Sequence, residues 1–142
     1  MEFFDVLVRY EVRLWRAVDL ELGRQGQISL GHLHALRVVA RYDGEARVQD
    51  LSEDIGITVG AASKLVDRLE RDGLVTRSPN PANRRSSLIT LTATGRQALA
   101  CAAEVCSTTL AKAIGQEDVE PLIAALQRLQ ARLDRAGIEQ AA

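Results

Sequence analysis

Six basic side chains fall between Thr58 and Arg85: Lys64, Arg68, Arg71, Arg77, Arg84 and Arg85. Asp67, Glu70 and Asp72 oppose them, and six cations against three anions leave +3. The whole 142-residue chain is at −1, so the remainder carries −4. Positive charge is therefore placed, not abundant, which is the footprint of a surface built for a polyanion. A guanidinium offers a planar fork of donors that fits a phosphate or the edge of a guanine. Ser63, among these cations, adds a hydroxyl that both donates and accepts. Catalytic chemistry has no comparable footing. The chain has no nucleophile elbow, no HExxH and no CxxC, and its only histidines, His32 and His34, stand two apart with no cysteine or carboxylate at ligand spacing. Neither an enzyme, a metal centre nor a cofactor site is expected.

The elements that must position these cations are readable around them. Thr58 suits an N-cap because its hydroxyl accepts a bond from an otherwise unpaired N–H of the first turn. Leu65, Val66 and Leu69 then recur at helical spacing, with Ser63, Lys64, Asp67, Arg68 and Arg71 on other faces. Gly73 ends this helix. Leu74–Thr76 and Leu88–Leu91 suit strands, and the prolines and asparagines between them force a turn whose far end carries Arg84 and Arg85. Upstream, a short helix near Gln49–Ile55 precedes a break at Gly56, and Ala46 with Val48 is expected to add a short strand to the hairpin. Helix, turn, helix and an arginine-tipped hairpin form a winged helix-turn-helix, in which the second helix enters a major groove and the hairpin reaches the neighbouring backbone or minor groove.

The rest of the chain predicts long helices. Residues 2–24 carry an apolar stripe of Phe4, Leu7, Leu14, Val18 and Leu22, and Phe3, Phe4 and Trp15 exceed what a small winged domain must bury. A helix over Leu30–Tyr42 follows. Beyond the hairpin, Thr92 caps a helix that runs to about Ala113. A last helix, capped by Asp118 with Pro121 in its first turn, carries Val119, Leu122, Ile123, Leu126, Leu129 and Leu133 to about Gly137. Residues 138–142 read as a frayed end. The expected fold class is mainly α with a small β-hairpin wing. It divides into an N-terminal dimerisation helix (1–28), the winged DNA-binding segment (29–92) and C-terminal dimerisation helices (93–142). No apolar run reaches membrane-span length and no signal-peptide cleavage pattern is present, so the expected location is cytoplasmic.

In the run SKLVDRLERDGLVTR, in NRRSSLITLTATG and in the flanking long helices, the chain resembles the MarR-type transcriptional regulators. The family's wing usually reads Asp-Arg-Arg and a small residue. Here it reads Asn83-Arg84-Arg85-Ser86, so the acid is lost. The resemblance implies a homodimeric repressor on an inverted-repeat operator in double-stranded DNA. Ser63, Lys64 and Arg68 would enter the major groove, Thr58 and its helix N-terminus would hold a phosphate, Arg85 would enter the minor groove with Arg84 on the backbone, and Arg77 is counted among the contacts. The alternative for Arg85 is an internal pair with Asp67. The resemblance also implies a crevice lined by the first, second and fifth helices for a small aromatic or phenolic effector, with Trp15, His32, His34 and Arg37 as candidates. Two other functions compete: a thiol-based redox regulator using Cys101 or Cys106, and a winged module that contacts protein without DNA. The plain reading of the two cysteines is that both are small core residues, too poorly aligned on one helix to bond to each other.

Overall fold

The structure is a computed structural model, and it describes residues 1–137. Helices α1 (Glu2–Arg24), α2 (Leu30–Arg41), α3 (Val48–Ile55) and α4 (Val59–Arg71) come first. Strands β1 (Val75–Pro79) and β2 (Ser87–Leu91) follow, then α5 (Ala93–Ile114) and α6 (Glu120–Ala136). The frayed end expected at 138–142 lies outside the described residues.

Two compact units result, one from Met1 to Leu110 and one from Ala111 onward. Within the first unit, α1 and most of α5 share a core with the winged segment. Val18 and Leu22 of α1, Leu33 of α2, and Ala102 and Cys106 of α5 are buried together. A larger core lies under the winged segment, with Leu36 and Val39 of α2, Leu51 of α3, Val66 and Leu69 of α4, and Ile89 of β2. Within the second unit, α6 buries no residue fully.

Local chemistry sets where α3 and α4 begin. α3 starts at Val48, where the Asp50 carboxylate accepts from the Arg47 backbone N–H (2.8 Å) and from both arms of its guanidinium (2.9 and 2.7 Å). Those bonds hold the buried Asp50 carboxyl below the usual carboxylate range, against the opposing effect of its burial. Val48 thus opens a helix rather than extending the sheet, and Ala46 alone bridges to Ile89. Gly56, at φ 72°, turns the chain from α3 towards α4, a backbone conformation that costs glycine little. Thr58 caps α4 as expected, its Oγ1 accepting from Ala61 N–H at 3.2 Å.

The hairpin is longer than the sequence suggests, pairing Val75 with Leu91 through Pro79 with Ser87. Pro79 is tolerated because β1 is an edge strand. Thr92 ties hairpin to helix: its hydroxyl donates to the Gly73 carbonyl (2.6 Å) and accepts from Gly95 N–H (2.9 Å). A Cβ on Gly95 would fall 1.9 Å from the Leu74 carbonyl oxygen, so only glycine lets α5 start this close to β1. The last helix begins one residue later than expected. Val119 is its N-cap, and Asp118 instead accepts from Glu120 N–H at 3.2 Å.

Candidate nucleic-acid interface and adjoining cavity

α4 turns Ala62, Val66 and Leu69 into the core. Gly60, Lys64, Asp67 and Arg71, three and four apart, form the opposite, exposed face, with Arg68 exposed beside it and Ser63 half-buried. The acids of this helix are occupied from within. Arg77 of β1 reaches Asp67 at 2.7 Å and Glu70 at 3.1 Å, and its backbone N–H donates to Glu70 at 3.2 Å. Arg71 lies 3.4 Å from Asp72. Arg77, one of the sequence candidates, is thus held between two carboxylates. It ties the wing to the reading helix and neutralises carboxylates that would repel phosphate. Asp67 holds Arg77, and among the described residues no ion pair joins it to Arg85. Among the described residues Lys64, Arg68, Arg84 and Arg85 have no carboxylate partner, so the surface potential of this face is theirs.

The wing tip is ordered by its own side chains. Asn80 Oδ1 accepts from Ala82 N–H (2.9 Å), Asn80 Nδ2 donates to Ser86 Oγ (2.9 Å), and Asn83 Oδ1 accepts from Arg85 N–H (3.0 Å). Asn83 thus supplies the turn bond that an aspartate would supply, and the exchange costs a charge, not an acceptor. The turn presents Arg84 and Arg85 to solvent.

A second feature lies within the first unit. A cavity of about 260 Å³, mostly apolar, is lined in part by Glu11 and Trp15 of α1, Leu33, His34 and Arg37 of α2, and Cys106 of α5. Three of the four expected crevice residues meet there. His32 does not: two positions from His34, it faces away, within electrostatic reach of Arg68, Arg71 and Asp72 around the end of α4. Burial holds both imidazoles below their ordinary range. At His34 the nearby Arg37 and Arg41 add to the effect and Asp54 opposes it. Glu11 and Cys106 were not anticipated. Cys106 had a signal in its four-residue spacing from Ala102 and Leu110, which sets all three on one face of α5. The cysteines part company, Cys106 being buried and Cys101 exposed, so Cys101 is not the core residue expected.

Comparison with known proteins places this geometry. The MarR family model matches residues 28–87, which run from the start of α2 through the wing turn. YfiV of Bacillus subtilis (strain 168), described as an uncharacterized HTH-type transcriptional regulator, is 29% identical over 82 residues. That match covers 58% of this chain and 46% of YfiV, so it spans about half the length of this curated relative. The crystal structure of the transcriptional regulator BldR from Sulfolobus solfataricus superposes with a TM-score of 0.84 at 23% identity, covering 92% of this chain and 94% of that one. The transcriptional repressor CouR bound to a 23-mer DNA duplex superposes with a TM-score of 0.78 at 22% identity, covering 88% and 89%. CouR from Rhodococcus jostii RHA1 has also been solved bound to p-coumaroyl-CoA. At such identities the structures establish a shared fold. The MarR family model thus matches the winged segment, and the fold is one shared with solved transcriptional regulators, MarR-family members among them.

Proposed function

We propose that the chain is a DNA-binding transcriptional repressor that acts as a homodimer on an inverted repeat, and that a small aromatic carboxylate releases it. The observation that carries this reading is the separation of charge on the reading face. The acids of α4, Asp67 and Glu70, are held by Arg77 and its cap Asp72 by Arg71, while among the described residues Lys64, Arg68, Arg84 and Arg85 stay exposed without acidic partners. A protein-contact module has no need of that arrangement, whereas a phosphate backbone rewards it. Ser63, Lys64 and Arg68 read bases, the first turn of α4 at Thr58 holds a phosphate, and the two wing arginines supply sequence-tolerant affinity. Two copies related by a two-fold axis present two such helices to half-sites about 34 Å apart.

Dimerisation is supported by apolar surface that each unit leaves uncovered. α1 exposes Phe3, Phe4 and Val12, and α6 exposes Leu122, Ile123 and Leu133. The effector reading rests on Trp15, His34 and Arg37 in one cavity, an aromatic wall beside cationic and hydrogen-bonding groups. CouR's two solved states, one on DNA and one with a small molecule, support the pairing of these two activities. Selecting DNA from a random pool with the purified protein tests the function class. An enriched inverted repeat is expected, and a pool that stays random moves the winged segment to protein contact.

A further inference from the structure

The cavity beside Trp15 does not end at α2. A second cavity, about 310 Å³, is lined by His34, Arg37, Ala40, Arg41 and Leu99. It shares His34 and Arg37 with the first, so these two residues lie in the wall common to both. The reason is helical spacing. His34, Arg37 and Arg41 recur at three and four residues, which strings them along one face of α2. From His34 to Arg41 that face runs about 10 Å at the helical rise. The chemistry changes along it: the end near Trp15, Leu33 and Cys106 is apolar, and the far end holds guanidinium groups. Among the described residues Arg37 has no carboxylate partner, and Arg41 is shared with Asp54 at 3.0 Å through an exposed pair.

We propose that the ligand is a two-part amphipathic anion, with an aryl group in the first cavity and a negative charge carried past His34 and Arg37 to Arg41 in the second. The inference rests on the cavity beside Trp15 being the effector site. It differs from that reading by requiring reach: a compact aromatic acid fills only one end. Binding in this mode covers Arg41 as well as Trp15, and discrimination among ligands comes from where the charge sits, not from its presence alone.

Trp15 is the only tryptophan of the chain, so its fluorescence reports occupancy of the first cavity directly. Phenylacetate and 6-phenylhexanoate carry the same ring with the charge near and far. 6-Phenylhexan-1-ol has the long chain without the charge. The long acid should bind tighter than both other probes, with about tenfold over the alcohol, as expected for a charge-assisted contact. Arg41→Gln should remove most of that tenfold and leave phenylacetate unchanged, and Arg41→Lys should restore part of it. Equal affinity of the long acid and the alcohol for the native protein overturns the inference without recourse to any variant. So does an Arg41→Gln effect of the same size on both acids. If phenylacetate binds and quenches Trp15 while the long acid gains nothing over the alcohol, the effector site stands and only the reach fails. If no probe perturbs Trp15 or the melting temperature, both fail.

Discussion

Helices α4 and α1 dispose of their apolar residues in opposite ways. α4 hides Ala62, Val66 and Leu69 completely and gives solvent a charged face whose acids are already paired. The last turns of α1 do the same, with Val18 and Leu22 buried, but its opening turns do not. Phe3 is 62% exposed, Phe4 59% and Val12 55%, on several sides of the helix. Apolar side chains exposed in such number mark a surface suited to a partner. One region is thus finished within a single chain, while the other leaves apolar side chains in solvent, as the proposed dimer would require. The difference separates what folding must satisfy from what assembly must satisfy.

The strongest way to break the finished side is at Gly95. Gly95→Ala drives a Cβ into the Leu74 carbonyl, where backbone must move, and should cost about 3 kcal/mol or more in urea denaturation. A cost below about 1 kcal/mol means that α5 does not start against β1 as described.

The unfinished side should respond in the reverse manner. Phe3→Ser with Phe4→Ser leaves the winged core untouched, so the monomer fold should persist. Dimer association should weaken by about 3 kcal/mol or more, since each buried phenylalanine contributes about 1.5–3 kcal/mol. Analytical ultracentrifugation reads this directly, and unchanged sedimentation removes α1 from the interface.

Between the two regions lies α2, where His32 and His34 are held below their ordinary range mainly by burial. A histidine depressed in the folded state takes its proton more readily when unfolded. Its contribution to stability is present above about pH 6.5 and is lost as pH falls through its folded value. The depressed Asp50 acts with the same sign at lower pH. The melting temperature should therefore fall between about pH 7 and about pH 5, and His34→Gln should flatten that fall. A melting temperature that rises on acidification contradicts the assignment.

A subtler probe is Arg77→Ala. An exposed pair contributes roughly 0–1 kcal/mol, so stability should change little. DNA affinity should nonetheless drop several-fold, because Asp67 and Glu70 are released to face phosphate. Asp67→Asn in the same background should recover part of the loss. No loss means that the acids do not face the nucleic acid.

These outcomes also show where sequence reading works and where it stops. Periodicity placed α1, α2, α4 and α5 to within a residue or two, and Thr58, Thr92 and Gly73 acted at the junctions where their chemistry suggested. What local pattern could not reach was pairing across elements. Arg77 looked like one more cation because nothing in its neighbourhood says that a strand residue faces Asp67 and Glu70 ten and seven positions upstream. His32 and His34 were equal candidates in the sequence, and only the phase of α2 against α1 and α5 turns His34 and not His32 to the cavity. Val48 follows a turn and is β-branched, which suits a strand, yet the Arg47–Asp50 bonds start a helix there. Cys101 and Cys106 differ only by helix phase, and the phase is set by packing against α1.

The central claim is that the exposed, acid-free cations of α4 and the wing hold DNA. The most direct measurement is the salt dependence of affinity for a selected inverted repeat, compared among the native protein, Arg85→Ala and Arg68→Ala. Each lost phosphate contact should make the slope of log K against log salt shallower by about 0.9 per site. Arg85→Ala should do this and weaken all sequences alike. Arg68→Ala should change half-site preference, at about 1–3 kcal/mol of discrimination. Unchanged affinity, slope and preference in both variants would contradict the account.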